Sequence, residues 1–318
     1  MRELKSVEIY GEETRVFKTG KNRYTFIYDQ VQYDDVVVKD KKDLEKAIRR
    51  ELYHANVDYK NAKPLRSTPE QLNAAVESSN TFIGNILSPA DNKVLNKVIR
   101  DFKNGKDSKS KYYRNGKYST SRIAIHNKII KKFIDEDKHK GAPDVYVFGG
   151  PSGSGKSTNL GKYVHEDAVM INNDDIKEQL SKYDPSPLVD YPLLHAGYLH
   201  EESSDIEEKI LKKALINKND IILDRTLASY VKNREILKSI KARGYRVTVL
   251  GTNLKPHIAI SRSSLRFLEV GRYVPVSHIA EKGNKMNSSV LKMAKQPFVD
   301  DAKIVDTSGK KAKIIYSK

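Results

Sequence analysis

Two rhythms of apolar and polar residues divide this chain. In the first sixty residues, "VEIYG", "YTFIYDQVQY" and "VVVK" carry β-branched and aromatic residues at strand-like spacing. "KDLEKAIRRELYHANV" then repeats apolar positions at i, i+3 and i+4, with Leu44, Ile48 and Leu52 on one side, which predicts an amphipathic helix. "STPEQLNAAVESSNTFIGNIL" opens on a cap signal, Ser67 or Thr68 followed by Pro69 and Glu70, and "SPADNKVLNKVIRDF" repeats it from Ser88. These predict two consecutive helices. Another is predicted from Ser119 to about residue 134, with Ile123, Ile125, Ile129, Ile130 and Phe133 as its buried face. "DEDKHKGAPD" is polar, contains Gly141 and Pro143, and reads as a link.

Beyond that link, strand and helix patterns alternate. Strands are predicted at 145–148, 168–172, 221–224, 245–252 and 303–306, with "KIIYS" as a sixth. Apolar runs that do not alternate suit strands covered on both faces. The expected fold class is α/β: a mainly parallel sheet with helices on both faces over 141–318. A smaller α+β or helical domain over 1–140 precedes it. Ligands of such a sheet bind at the carboxyl ends of its strands.

Composition narrows the class. With 318 residues there is room for two domains, and 38% hydrophobic content suits a globular protein. The absence of cysteine excludes disulfides and thiolate chemistry. The first twenty residues hold no apolar run suited to a signal peptide, and no later run would span a bilayer. The expectation is a soluble cytoplasmic protein with no membrane partner. The net charge of +17 is uneven: residues 1–92 balance at 15 basic and 15 acidic side chains, whereas 93–132 carry 13 basic and 2 acidic. Tyr112, Tyr113 and Tyr118 lie among those cations, so the segment reads either as a nucleic-acid contact or as a solvated loop between helices.

The sharpest chemical signal is "VYVFGGPSGSGKSTNLGKY". From Gly150 to Ser157 it fits G-x-x-x-x-G-K-[ST], with an apolar strand before it and a helix after. Gly150, Gly153 and Gly155 let backbone N–H groups turn toward an anion without a Cβ in the way, flanked by Ser152, Ser154 and Thr158. Lys156 reaches the outer phosphates of ATP or GTP, and Ser157 offers a hydroxyl to Mg²⁺. The domain is therefore expected to be a P-loop nucleotide-binding domain, a frame that hydrolases, motors and kinases share.

The acceptor side needs other residues. "VMINNDDIKEQL" places Asp174 and Asp175 just beyond a strand, where a carboxylate can take a proton from an attacking hydroxyl or cap the following helix. Both roles stay open at this point. "IILDRTLASY" brings Asp224, Arg225 and Thr226 to the end of another strand, with Asp224 suited to a metal-bound water or to a local turn. Arg262, Arg266 and Arg272 in "SRSSLRFLEVGRYVP" read as a lid that neutralises a transferring phosphoryl group, Arg262 on the nucleotide side. His200 and Glu201 follow the candidate base and read as acceptor-pocket residues or as ordinary helix surface. His165, His195 and His200 lack metal-site spacing.

These blocks, together with "YLHEESS" and "LKSIKARGYRV", give residues 144–294 a resemblance to the zeta-toxin kinases. That resemblance implies a bacterial P-loop enzyme that phosphorylates a sugar nucleotide, typically UDP-N-acetylglucosamine at the 3′-hydroxyl of its amino sugar. It implies Asp174 as base, Lys156 on the phosphates, Arg266 and Arg272 as transition-state arginines, and Asp224 and Thr226 in the acceptor pocket. An antitoxin protein is the implied partner. Two departures stand out: Asp224-Arg225-Thr226 replaces the Glu-Gly-Thr of well-known members, and "EQL" replaces a Gln-His-Pro. A long separate leader also fits a phage or mobile-element protein, even a virion component. Two rival readings remain. One is a polynucleotide kinase whose basic segment holds RNA or DNA. The other is a nucleotide-binding structural protein without transfer activity.

Overall fold

A computed structural model describes residues 2–4, 6–9, 12–28, 31–38, 43–44, 47–48, 62–134, 142–164, 167–191, 194–270, 273–309 and 311–318. They form two compact units: residues 1–62 with 314–317, and residues 63–313 with 318. The division falls well before the boundary expected near residue 140, because helices of 69–133 bury their faces in the second unit.

Five strands build the first unit: β1 (Arg2–Glu3), β2 (Val7–Ile9), β3 (Glu12–Gly20), β4 (Arg23–Tyr28) and β5 (Val31–Val37). All pair antiparallel, in the order β1-β3-β4-β5 with β2 also on β3. Strand β3 was not anticipated, although Thr14 and Val16 point inward while Arg15 is exposed. Asn22, at φ 59°, makes the turn into β4, a conformation asparagine tolerates better than most residues. The single run expected at 24–33 is divided between β4 and β5. Val16, Tyr24, Phe26, Leu44 and Ile48 form the core. The helix expected over 42–57 lies mostly outside the described residues.

The second unit opens with two helices, α1 (Pro69–Ile86) and α2 (Pro89–Lys103), both capped as expected. Thr68 Oγ1 accepts from the N–H of Gln71 at 3.3 Å, and Gln71 Oε1 accepts from the N–H of Thr68 at 3.0 Å. Ser88 Oγ accepts from the N–H of Asp91 at 3.1 Å. Next come α3 (Ser108–Tyr112), the hairpin β6 (Tyr113–Arg114) and β7 (Lys117–Tyr118), and α4 (Thr120–Phe133). Asn115 and Gly116, with φ of 51° and 79°, close the hairpin as a two-residue Asn-Gly turn does.

The alternating part follows: β8 (Asp144–Gly149), α5 (Lys156–Leu160), β9 (Val169–Asn172), α6 (Asn173–Tyr183), α7 (Ser186–Asp190), α8 (His195–Tyr198), α9 (His200–Asn217), β10 (Ile221–Asp224), α10 (Tyr230–Lys241), β11 (Arg246–Asn253), α11 (Pro256–Val270), α12 (Val276–Ala294) and β12 (Asp301–Asp306). A last strand, β13 (Lys313–Ser317), forms where "KIIYS" placed it. Five strands run β12-β11-β8-β10-β9, every pair parallel. Val145, Val147, Ile221, Val247 and Ile304 are buried in it, as unalternating apolar runs require.

The face of α4 departs from expectation. Arg122, His126 and Ile129 are its buried residues, while Ile123 is 40% exposed. The reason lies in α9, whose buried Glu202 accepts from Arg122 Nε at 2.6 Å and from Arg122 Nη2 at 2.9 Å. His126 Nε2 is 2.7 Å from the same carboxylate, and Lys209 Nζ is 3.2 Å from Nδ1. A lysine only donates, so Nδ1 accepts and Nε2–H donates to Glu202. Asp184 takes hydrogen bonds from Arg122 Nη1 at 2.7 Å and from the Tyr112 hydroxyl at 2.9 Å. Arg122 and Tyr112 of the basic segment are thus spent on internal acids.

These contacts set a pH dependence. Burial alone would raise the pKa of Glu202, but hydrogen bonds from His126 and Arg122 outweigh it and hold the group at about 2, against 4.5 ordinarily. Burial also opposes the shift at Asp184, where Ser186, Arg122 and Tyr112 bring the value from 3.8 to about 2. Both folded values are depressed, so the stabilisation is complete above about pH 4.5 and is lost as pH falls toward 2. We expect the melting temperature to drop steadily through that window in a calorimetric pH series.

Helices α1 and α2 pack against α11 and the residues that follow it. Ser79 Oγ hydrogen-bonds Ser264 Oγ on α11. Ile83, Leu95 and Val98 pack with Phe267, Tyr273 and Leu194. Just before α1, Leu65 N–H donates to Asn253 Oδ1 at 3.0 Å, and Ser67 N–H to Asn284 Oδ1 at 2.9 Å.

Candidate active site

The strand register brings the expected residues together. Asp224 on β10 pairs with Phe148 on β8 and with Asn172 on β9, so three strand ends lie side by side. The loop after β8 and the residues after β9 and β10 line one cleft of about 870 Å³, within the usual range for small-molecule sites.

The loop is held from behind by residues that sequence reading did not single out. Gly150 has φ 137°, and a Cβ there would lie 2.1 Å from Thr252 Oγ1. Thr252 Oγ1 is 2.6 Å from Ser154 Oγ, and Thr307 Oγ1 donates to the Ser154 carbonyl at 3.0 Å. The Ser154 hydroxyl is therefore occupied inside the protein, while the residue itself lines the cleft as part of the loop. Gly153 and Gly155, both at φ 71°, turn the chain into α5, and Gly153 sits against Ser263 and Ala259 of α11. Ser152, Gly153, Ser157, Thr158, Arg262 and Arg266 all line the cleft. We expect Gly150→Ala to weaken ATP binding by about 10- to 100-fold, from the strain of a side chain at that φ and the contact with Thr252. Isothermal titration with ATP checks this.

Lys156 lies within the loop's curve. Its Nζ donates to the carbonyl of Gly150 at 3.2 Å and sits 3.9 Å from Asp224 Oδ1. Burial is the largest influence and drives its pKa below the ordinary lysine value. The charges of Asp224 and Asp174 oppose that shift, and the charge of Arg266 adds to it. Asp224 shifts upward, first through burial, with Lys156 opposing and Asp174, Asp175 and Glu207 reinforcing.

Across the cleft, α6 is capped by Asn172, whose Oδ1 accepts from the N–H of Asp174 at 2.7 Å. Neither Asp174 nor Asp175 is the cap, so the capping alternative is removed. Asp174 lines the cleft and meets Lys177 Nζ at 3.4 Å. Asp175 is exposed and does not line it.

Arg225 lines the cleft but is already engaged. Its Nε donates to Glu207 Oε1 at 2.7 Å and its Nη1 to Asn233 Oδ1 at 3.2 Å, while Asn173 Nδ2 holds the other Glu207 oxygen at 2.5 Å. An arginine in place of glycine is thus neutralised by a carboxylate 18 residues earlier in the chain. His200 and Thr226 also reach the cleft. Burial, and secondarily Lys177, pushes His200 below its ordinary pKa. Glu201 is exposed and lies outside the cleft. Arg272 lies outside the described residues. Lys177, Glu207, Lys232 and Asn233 join the site without having been singled out.

A glycine loop at the end of a central parallel strand, with lysine and carboxylates facing one cleft, defines the class: a P-loop phosphotransferase that binds ATP. Residues 130–317 match the family model for the zeta toxin, more than half of the chain. This chain belongs to the zeta toxin family, and it is a kinase. Similar solved structures include the PezAT chromosomal toxin–antitoxin system of Streptococcus pneumoniae, at 17% identity and a TM-score of 0.49, covering 63% of this chain and 83% of that one. The AvrRxo1-ORF1:AvrRxo1-ORF2 structure with sulphate ions is similar at 15% identity and a TM-score of 0.48, covering 64% and 69%. The same pair with ATP gives 16% and 0.46, covering 64% and 68%. No curated protein matches the sequence. Among the described residues, no helix is long and apolar enough to cross a membrane.

Proposed function

We propose that this protein transfers the γ-phosphoryl group of ATP to a hydroxyl of a sugar nucleotide such as UDP-N-acetylglucosamine, with Asp174 as the base. The observation that carries the reading is that Asn172 takes over capping of α6 and leaves the Asp174 carboxylate in the same cleft as Lys156. Asp174 accepts the acceptor's proton as its oxygen attacks phosphorus. Lys156 and Arg266 offset charge on the phosphate oxygens, and Arg262 contacts the nucleotide. Arg272 is proposed as a further lid arginine. Lys177 and Lys232, paired with Asp174 and Glu208, line the acceptor half of the cleft beside Thr226 and His200 and supply N–H donors that suit a diphosphate-linked sugar. Arg225, neutralised by Glu207, contributes shape more than charge.

A divalent cation fits the donor set. Ser157 and Asp224 offer hard oxygen ligands of the kind Mg²⁺ takes, and both line the cleft beside the phosphate loop. Mg²⁺ bound with ATP would neutralise phosphate charge. Membership in a toxin family supports a further partner, a protein that restrains the activity. The test is incubation with γ-labelled ATP and UDP-N-acetylglucosamine, resolved by chromatography. Label on the sugar nucleotide is expected; label only in free phosphate would overturn the acceptor assignment.

A further inference from the structure

Two lysines of the basic segment, Lys109 and Lys117, meet Lys209 and Lys212 of α9 in one place. A groove of about 580 Å³ lies between the β6–β7 hairpin and α9. Its acids are spent: Asp205 accepts from Lys109 Nζ at 2.9 Å and from the Tyr118 hydroxyl at 2.7 Å, and Glu208 pairs with Lys232 at 2.8 Å. Lys117 and Lys212 are exposed and form no ion pair among the described residues. Lys209 uses one donor on His126 and keeps two. Tyr113, 38% exposed, lines the same groove and packs edge-to-face on the buried ring of Tyr118, with centroids 4.9 Å apart. A supported aromatic ring beside three cations with spare donors matches what single strands bind: a π-face for a base and a cationic track for phosphates.

We propose that this groove is a binding site for single-stranded nucleic acid, with a base against Tyr113 and phosphates at Lys117, Lys209 and Lys212. The strict two-residue turn matters here. Asn115-Gly116 holds Tyr113 opposite Tyr118 in register, so the ring is presented by a folded hairpin rather than by a loose loop. The groove also shares Glu208 with the catalytic cleft, so a bound strand would run along α9 past the acceptor side. The assignment does not depend on the identity of the phosphoryl acceptor.

The experiment is fluorescence anisotropy of a fluorescein-labelled oligo(dT) with the full chain across a salt series. Tyr113→Ala should weaken binding by about 5- to 150-fold, the range for one lost base–aromatic stack. Lys117→Glu with Lys212→Glu should flatten the log–log salt slope by about 1.4, two phosphates at 0.7 each. A charge-matched control, Lys97→Glu with Lys285→Glu, should stay within about threefold of wild type, because those lysines do not line the groove. Melting and ATP titration of each variant should match wild type, which keeps this test separate from the kinase reading. Equal weakening by the groove and control pairs would overturn the site. Displacement of the oligonucleotide by TMP at equal nucleotide concentration would overturn a strand as the ligand.

Discussion

Asp174→Asn is expected to lower phosphoryl transfer by about 10²- to 10⁴-fold, the span attributed to a positioned general base. The carboxamide keeps the side chain's shape but cannot accept the acceptor's proton. Folding should be unaffected, because the side chain that caps α6 belongs to Asn172 and the Asp174 N–H that it binds remains. ATP affinity should change little, since the loop that cradles the phosphates is held by Thr252 and Thr307 on the far side of the cleft. A calorimetric titration with ATP beside an initial-rate assay separates the two quantities. Wild-type transfer by the variant would remove Asp174 as the base, whereas parallel loss of binding and rate would point to a structural role.

The second large effect lies away from the chemistry. Glu202→Ala should destabilise the second unit by about 3–5 kcal/mol, because it removes the acceptor of Arg122 Nε, Arg122 Nη2 and His126 in a buried site and leaves only Asp184 on the guanidinium. For a unit of this size that corresponds to a melting temperature lower by about 6–20 °C. The pairing is not needed for stability as such. Replacing both partners with apolar residues, Arg122→Met with Glu202→Leu, should recover most of the loss, as buried ion pairs often allow. His126 then loses its acceptor, so recovery should be incomplete. If Glu202→Ala melts within about 2 °C of wild type, the network is not what fastens α4 to the kinase domain.

How much was legible follows from the range of each interaction. The phosphate loop, the buried strands and the helix caps are written in contiguous residues, and they appear in the structure within one or two positions of where the pattern placed them. The hairpin was equally legible, since Asn115-Gly116 between Tyr113 and Tyr118 is a strong turn signal; attention to charge passed over it. Strand β3 was obscured because its outward residues are charged and only Thr14 and Val16 mark its inner side. The sequence offered Asp174 and Asp175 as caps of α6, and the backbone geometry gives that place to Asn172 instead.

By itself the sequence determined the nucleotide-binding loop and the parallel α/β domain around it, because both depend on local steric freedom and on apolar periodicity. Tertiary structure alone decided the fate of the charges. Arg122 finds Glu202 across 80 residues, and Arg225 is neutralised by Glu207, so neither acts as the open cation its neighbours in sequence suggest. It also decided which lysines lie beside Tyr113 and that the leading helices pack on α11. Coulomb energy and burial depend on distance through space, and a count of charges along a chain does not contain that distance.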